Sequence, residues 1–125
     1  MENLGQIKIS NDVIQTIAGF AALEIDGIDK STSFTDKLFR NHGIKVSVED
    51  DKAIIDIDIA VKYGQVIPDV SLKVQESIVN AVETMAGLKV DKVNVHVDSL
   101  VIKKEKAEKK EILLFKFLIK KRKNL

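Results

Sequence analysis

The spacing of apolar residues switches along the chain between two and three-to-four, and each switch predicts a new element. Residues 6–9, QIKI, alternate and predict a short strand. Ser10 and Asn11 then offer capping side chains to a helix whose apolar stripe is Val13, Ile14, Ile17, Ala18, Ala21 and Ile25, with Gly27 placed to end it. Residues 28–43 keep no period and are rich in Ser, Thr, Asp and Asn. They predict a long loop with one helical turn at TDKLFR. Large apolar groups usually bury, so Phe34, Leu38 and Phe39 are expected to pin this loop to the body rather than to present a partner surface.

The clearest pattern runs from residue 44 to residue 64. Ile44, Val46 and Val48 alternate with polar residues, EDDK makes a turn, and Ile55, Ile57, Ile59, Val61 and Tyr63 then line one face, which predicts a β-hairpin. A second helix follows, with Pro68 in its first turn and Val70, Val74, Ile78, Ala81, Val82 and Met85 as its buried stripe. Gly87 stops it, and Val93, Val95 and Val97 alternate as a last strand. The expected fold class is therefore α+β, a two-layer sandwich of order βαββαβ with two helices on one face of a small, mostly antiparallel sheet.

Length bounds this reading. The 125 residues suffice for one compact core, taken as an α+β domain over 1–102 and a tail over 103–125. The residues that are 45% hydrophobic and 31% charged exclude a wholly disordered or fibrous chain. No stretch is apolar for the length of a membrane span, and the N-terminal MENLGQIKIS lacks the basic-then-apolar order of a secretory signal. With no cysteine, disulfide and thiol chemistry are excluded, which fits a cytoplasmic location. The net charge of +1 conceals a split: residues 1–102 carry 10 Lys and Arg against 16 Asp and Glu, whereas residues 103–125 carry 10 against 3. An acidic body with a basic tail directs any polyanion, nucleic acid or anionic membrane, to the tail.

Candidate chemistry in the body is sparse. Asp56 and Asp58 share a strand face and could hold a cation, but with Ile55, Ile57 and Ile59 turned inward they are expected to face water. His96, Asp98 and Ser99 resemble a hydrolytic set only in composition. Ser99 and His96 point to opposite faces of a regular strand, so a nucleophile and its base would not meet. His42 lies in the loop, far in sequence from His96. None of the six glycines forms a phosphate-binding signature or the G-x-x-G of a KH domain. The expectation is a protein without catalytic residues, cofactor, metal or small-molecule substrate, and with no nucleic-acid binding by the body.

Two segments remain as candidate interaction sites. In VKYGQVIPDV, Tyr63, Gly64 and Pro68 are accounted for by a strand end, a turn and a helix start, and a partner groove beside Gln65, Val66, Ile67, Pro68 and Asp69 is the alternative. In the tail, a charged stretch leads into Ile112, Leu113, Leu114, Phe115, Lys116, Phe117, Leu118 and Ile119, closed by Lys120, Lys121, Arg122 and Lys123. This segment is too short to span a bilayer, but it suits shallow insertion into an anionic interface. Docking on a protein partner, folding back on the body and self-association are the other uses of the same pattern.

The succession GQIKIS, IAGFAALEIDGI, GIKVSVED, AIIDIDIAVKYGQVIPDV and VQESIVNAVETMAGLKVDKVNVHV, covering about residues 5–102, resembles the alkaline shock protein family of Gram-positive bacteria, also called the Gls general-stress family. The resemblance implies a non-enzymatic cytoplasmic protein of the cell-envelope stress response, able to self-assemble and held at the inner membrane face through a protein partner. It also implies an alternative, a cytosolic regulator of a metabolic enzyme, acetyl-CoA carboxylase in fatty acid synthesis. The family supplies no catalytic residues, and the apolar, basic C-terminal end is a departure from its pattern.

Overall fold

The computed structural model describes residues 4–40 and 42–102. Six elements follow one another: α1 (Asn11–Leu23), α2 (Thr32–Arg40), β1 (Ile44–Glu49), β2 (Lys52–Lys62), α3 (Ile67–Ala86) and β3 (Lys89–Val101). The fold is α+β, with an open three-stranded sheet of order β1-β2-β3.

Alternation in β1 and β2 produces the predicted hairpin, with Ile44 opposite Ile57 and Val46 opposite Ile55. Asp50 and Asp51, both at positive φ, make its tight turn. β3 lies on the other side of β2 and runs parallel to it, with Ile55, Ile57 and Ile59 beside Val93, Val95 and Val97. The sheet is thus mixed rather than mostly antiparallel. Helix α3 between two parallel neighbours forms a crossover unit, which parallel pairing requires.

α1 and α3 pack on each other and on β1 and β3, respectively. Between them and the sheet lie Ile14, Ala18, Val74, Ile78 and Val82 against Ile44, Ile55, Ile57 and Ile59, all buried. Ser10 caps α1 by accepting from the Val13 N–H at 3.3 Å. Pro68 sits in the first turn of α3, and Gly87, left-handed at φ 71°, ends it.

Four expectations need correction. Residues 6–9 form no strand: the chain passes outside the sheet with Ile7 94% exposed, because the edge it would join is occupied by side chains of α1. Residues 28–43 are not mainly a loop, since α2 forms there on the (i, i+4) pair Phe34 and Leu38, both buried. Phe39, half-buried, lies against Phe20 with ring centroids 5.3 Å apart, so all three apolar residues do pin the segment. Tyr63 does not continue the inward series; β2 ends at Lys62 and Tyr63 is 68% exposed in the turn. Met85 lies on the predicted stripe of α3 yet is 70% exposed, in the last helical turn.

Candidate functional site

The core face of the sheet is covered, so the polar groups that could act lie on its other face. There β2 and β3 pair Asp56 with Asn94 and Asp58 with His96. Asn94 Nδ2 donates to Asp56 Oδ1 at 2.8 Å, and His96 Nδ1 lies 3.2 Å from Asp58 Oδ1. Each aspartate therefore has its own cross-strand partner instead of sharing a ligand with the other. Among the described residues no group of three or more His, Cys, Asp or Glu is placed to hold a metal ion.

The next residue of this face, Asp98, is bound by Lys37 of α2. The hydrogen bond from Lys37, then its charge, hold the Asp98 carboxyl below the usual range, and the same hydrogen bond raises the Lys37 ammonium against the pull of desolvation. Ser99 Oγ donates to Asp98 at 3.4 Å and makes no bond to His96. A register shift between Ile59 and Ala60 displaces this end of β3. Here Phe34 and Lys37 of α2 stand with Ala60, Ser99 and Val101 around a shallow hollow of about 230 Å³. Asp29, buried at the entry to α2, accepts from Ser31 Oγ at 2.8 Å, and Ser31 Oγ in turn accepts from the Phe34 N–H at 3.4 Å. These are structural contacts that start and dock a helix, local at Asp29, Ser31 and Phe34 and distant in sequence at Lys37 and Asp98.

The segment Gln65, Val66, Ile67, Pro68 and Asp69 is exposed throughout. It begins where the Tyr63 N–H donates to the Val101 carbonyl at 2.8 Å, so it shares the end of the sheet with the last residues of β3. Gly27, at φ 97°, approaches so closely that a Cβ there would stand 3.0 Å from Gln65 Oε1 and from Val70 Cγ2, which fixes the turn against the body. At this end Tyr63, Val66, Ile67, Leu100 and Ile102 all expose large apolar side chains. The candidate tail segment, Ile112 to Lys123, lies outside the described residues.

Sequence reading missed Lys37, and it also missed three amides that bind strand edges. Asn11 Nδ2 donates to the Val46 carbonyl at 3.2 Å, Gln15 Nε2 to the Ile44 carbonyl, and Gln75 Nε2 to the Val93 carbonyl at 3.0 Å. The signal was present as polar residues within otherwise apolar helix faces, but their targets are backbone groups and carry no sequence mark.

Among the described residues, no helix is long and apolar enough to cross a membrane. The chain is 35% identical over 103 residues to the uncharacterized protein YqhY of Bacillus subtilis (strain 168), covering 76% of each chain. It is 36% identical over 106 residues to the uncharacterized protein YloU of the same organism, covering 77% of this chain and 88% of that one. With the uncharacterized protein Spy1535 of Streptococcus pyogenes serotype M6 it shares 30% over 109 residues, 82% of this chain and 84% of that one. Among solved structures, a variant of MamM-CTD aligns with a TM-score of 0.46 at 12% identity, over 70% of this chain and 95% of that one. The model of the alkaline shock protein family, described by a cell envelope-related function, matches residues 1–102, and the chain belongs to that family.

Proposed function

We propose that this protein is a non-enzymatic scaffold of the cell envelope that acts at the inner face of the membrane, its body joining copies of itself or protein partners and its basic tail touching anionic lipid. The observation that carries this reading is the apolar end of the sheet. Tyr63, Val66, Ile67, Leu100 and Ile102 are exposed there, and the chain passes from the same end into the segment with 10 Lys and Arg against 3 acidic residues. Apolar side chains beside a cationic segment suit an anionic interface, where each nearby basic residue adds about 1 kcal/mol.

Sedimentation with vesicles tests it, using the intact chain and a chain ending at Glu111, with anionic and neutral lipid at low and high salt. The expected result is that the intact chain alone pellets, with anionic vesicles, and that salt releases it. If neither chain pellets, the membrane reading fails, and protein docking or self-assembly becomes the reading of the tail.

A further inference from the structure

The two edges of the sheet are treated differently. On β1 the outward carbonyls of Ile44 and Val46 are both taken by amides of α1. On β3 the Val93 carbonyl, bound by Gln75, marks the side that faces away from β2. Backbone groups alternate along a strand, so Val95 and Val97 also direct their N–H and C=O groups to that side. Among the described residues no strand pairs there. Each edge carries two such side-chain bonds, since Glu83 also accepts from the Val90 N–H, but β3 is 13 residues long against 6 in β1, so more of its edge is left uncovered.

We propose that this edge binds a second copy of the same chain, β3 against β3 in antiparallel sense about a two-fold axis at Val95, giving one continuous six-stranded sheet. The inference rests on the self-association part of the proposed function and names its surface. What selects a second copy is the charge order of residues 92–98, KVNVHVD. Antiparallel self-pairing centred on Val95 sets Lys92 of each copy opposite Asp98 of the other, where the Asp98 carboxylate, already bound by Lys37 of its own chain, would take a second ammonium group, with Asn94 opposite His96 and Val93 opposite Val97. Lys92, Asn94, His96 and Asp98 then share the polar face and the valines the core face. Parallel pairing of the same strand in register would place like charges side by side, which costs about what the opposite charges gain.

α3 supports the same axis. Gln75 reaches Val93 and Glu83 reaches the Val90 N–H, so α3 runs antiparallel to β3. At about 1.5 Å per helical residue and about 3.3 Å per strand residue, α3 passes the level of Val95 near Ser71, next to Leu72. Leu72 is 54% exposed and lies one helical turn from Gln75, the residue that reaches the edge. Across the two-fold axis it meets its counterpart in the helical layer. Gln75 occupies the Val93 carbonyl in the single chain and must swing off for the outer rungs to form.

Sedimentation equilibrium of the intact chain tests this without lipid. A dimer is expected; Lys92→Asp, which leaves the Lys37–Asp98 pair in place, should weaken it by about tenfold. Gln75→Ala should tighten it, whereas loss of a merely structural cap would not. Register is read separately. The chain has no cysteine, so Asn94→Cys and His96→Cys chains should cross-link readily when mixed and poorly alone, since residues opposite each other in a non-hydrogen-bonded pair lie about 4.5 Å apart at Cα. A monomeric intact chain overturns the inference while leaving the vesicle result to decide the membrane reading. An oligomer indifferent to Lys92→Asp overturns it too, and leaves the scaffold reading with another interface.

Discussion

Lys37 and Asp98, 61 positions apart in the chain, form an ion pair that ties α2 to the polar face of β3. Both side chains are part-exposed, 44% and 30%, so salt screens the pair. Asp98 has a lowered pKa in the folded chain; its contribution is present above its unfolded value of 3.8 and fades as pH falls through the folded value. Lys37 has a raised one; its contribution is present below 10.5 and fades as pH rises through the folded value. Lys37→Met should therefore lower the urea midpoint between those limits, and the gap to the parent should close toward both extremes. A gap that stays constant from about pH 2 to about pH 7 would show that the packing of the Lys37 stem, not its charge, is what counts.

Gly19→Ala should destabilise, against helix propensity. Gly19 is in the interior of α1, where alanine is ordinarily better by about 1 kcal/mol. Here a Cβ would stand 2.6 Å from Phe39 Cζ and 3.0 Å from Ile44 Cδ1. Displacing the ring from Phe20 and Gly19 should outweigh the propensity gain and leave a net loss of about 1 kcal/mol in thermal unfolding. A rise in melting temperature would mean that Phe39 swings aside freely.

Ser10→Ala should cost about 1 kcal/mol, because Ser10 Oγ accepts from the Val13 N–H at the start of α1. Ser10→Asp, which keeps an acceptor and adds a negative charge at a helix N-terminus, should restore the urea midpoint. Failure of aspartate to rescue would assign the loss to something other than the cap.

Asn11→Ala together with Gln15→Ala should uncover the carbonyls of β1. Each lost bond removes about 1 kcal/mol, and the exposed edge becomes a template for other chains. Light scattering on warming should show aggregation beginning further below its own unfolding midpoint than in Ser10→Ala. Equal aggregation would mean that α1 shields the edge by its bulk alone.

The hairpin and the stripe of α3 were legible because both are periodic over many residues: Ile55, Ile57 and Ile59 at two, Val70, Val74, Ile78 and Val82 at four. The family was legible for a different reason, the order of short motifs from GQIKIS to VNVHV. The direction of β3 was not, since Val93, Val95 and Val97 alternate identically in parallel and antiparallel pairs; only the helix placed between the strands hints at a crossover. α2 escaped because Ser, Thr and Asp surround its two buried anchors, Phe34 and Leu38. QIKI misled because alternation describes one strand and says nothing of whether a neighbour has a free edge to offer. The turn from β2 into α3 was legible in Gly64 and Pro68, so that Gln65 and Val66 lie in the turn and Ile67, Pro68 and Asp69 open the helix, but the amides that guard the edges depend on contacts such as Gln75 to Val93 that no spacing encodes.

The parallel pairing of β2 with β3 also fixes the order in which the chain can mature. Emerging from the ribosome, β2 finds its first partner at once in β1, a turn away, but its second arrives only after the whole of α3 has been made. Until residue 101 is available, the most apolar strand of the molecule carries an open side, and α3 has only part of the surface it will cover. Local contacts form early and this one closes late. A nascent chain halted after Gly87 should therefore be recognised by chaperones and cut readily by protease, while one extended past Ile102 should abruptly resist both.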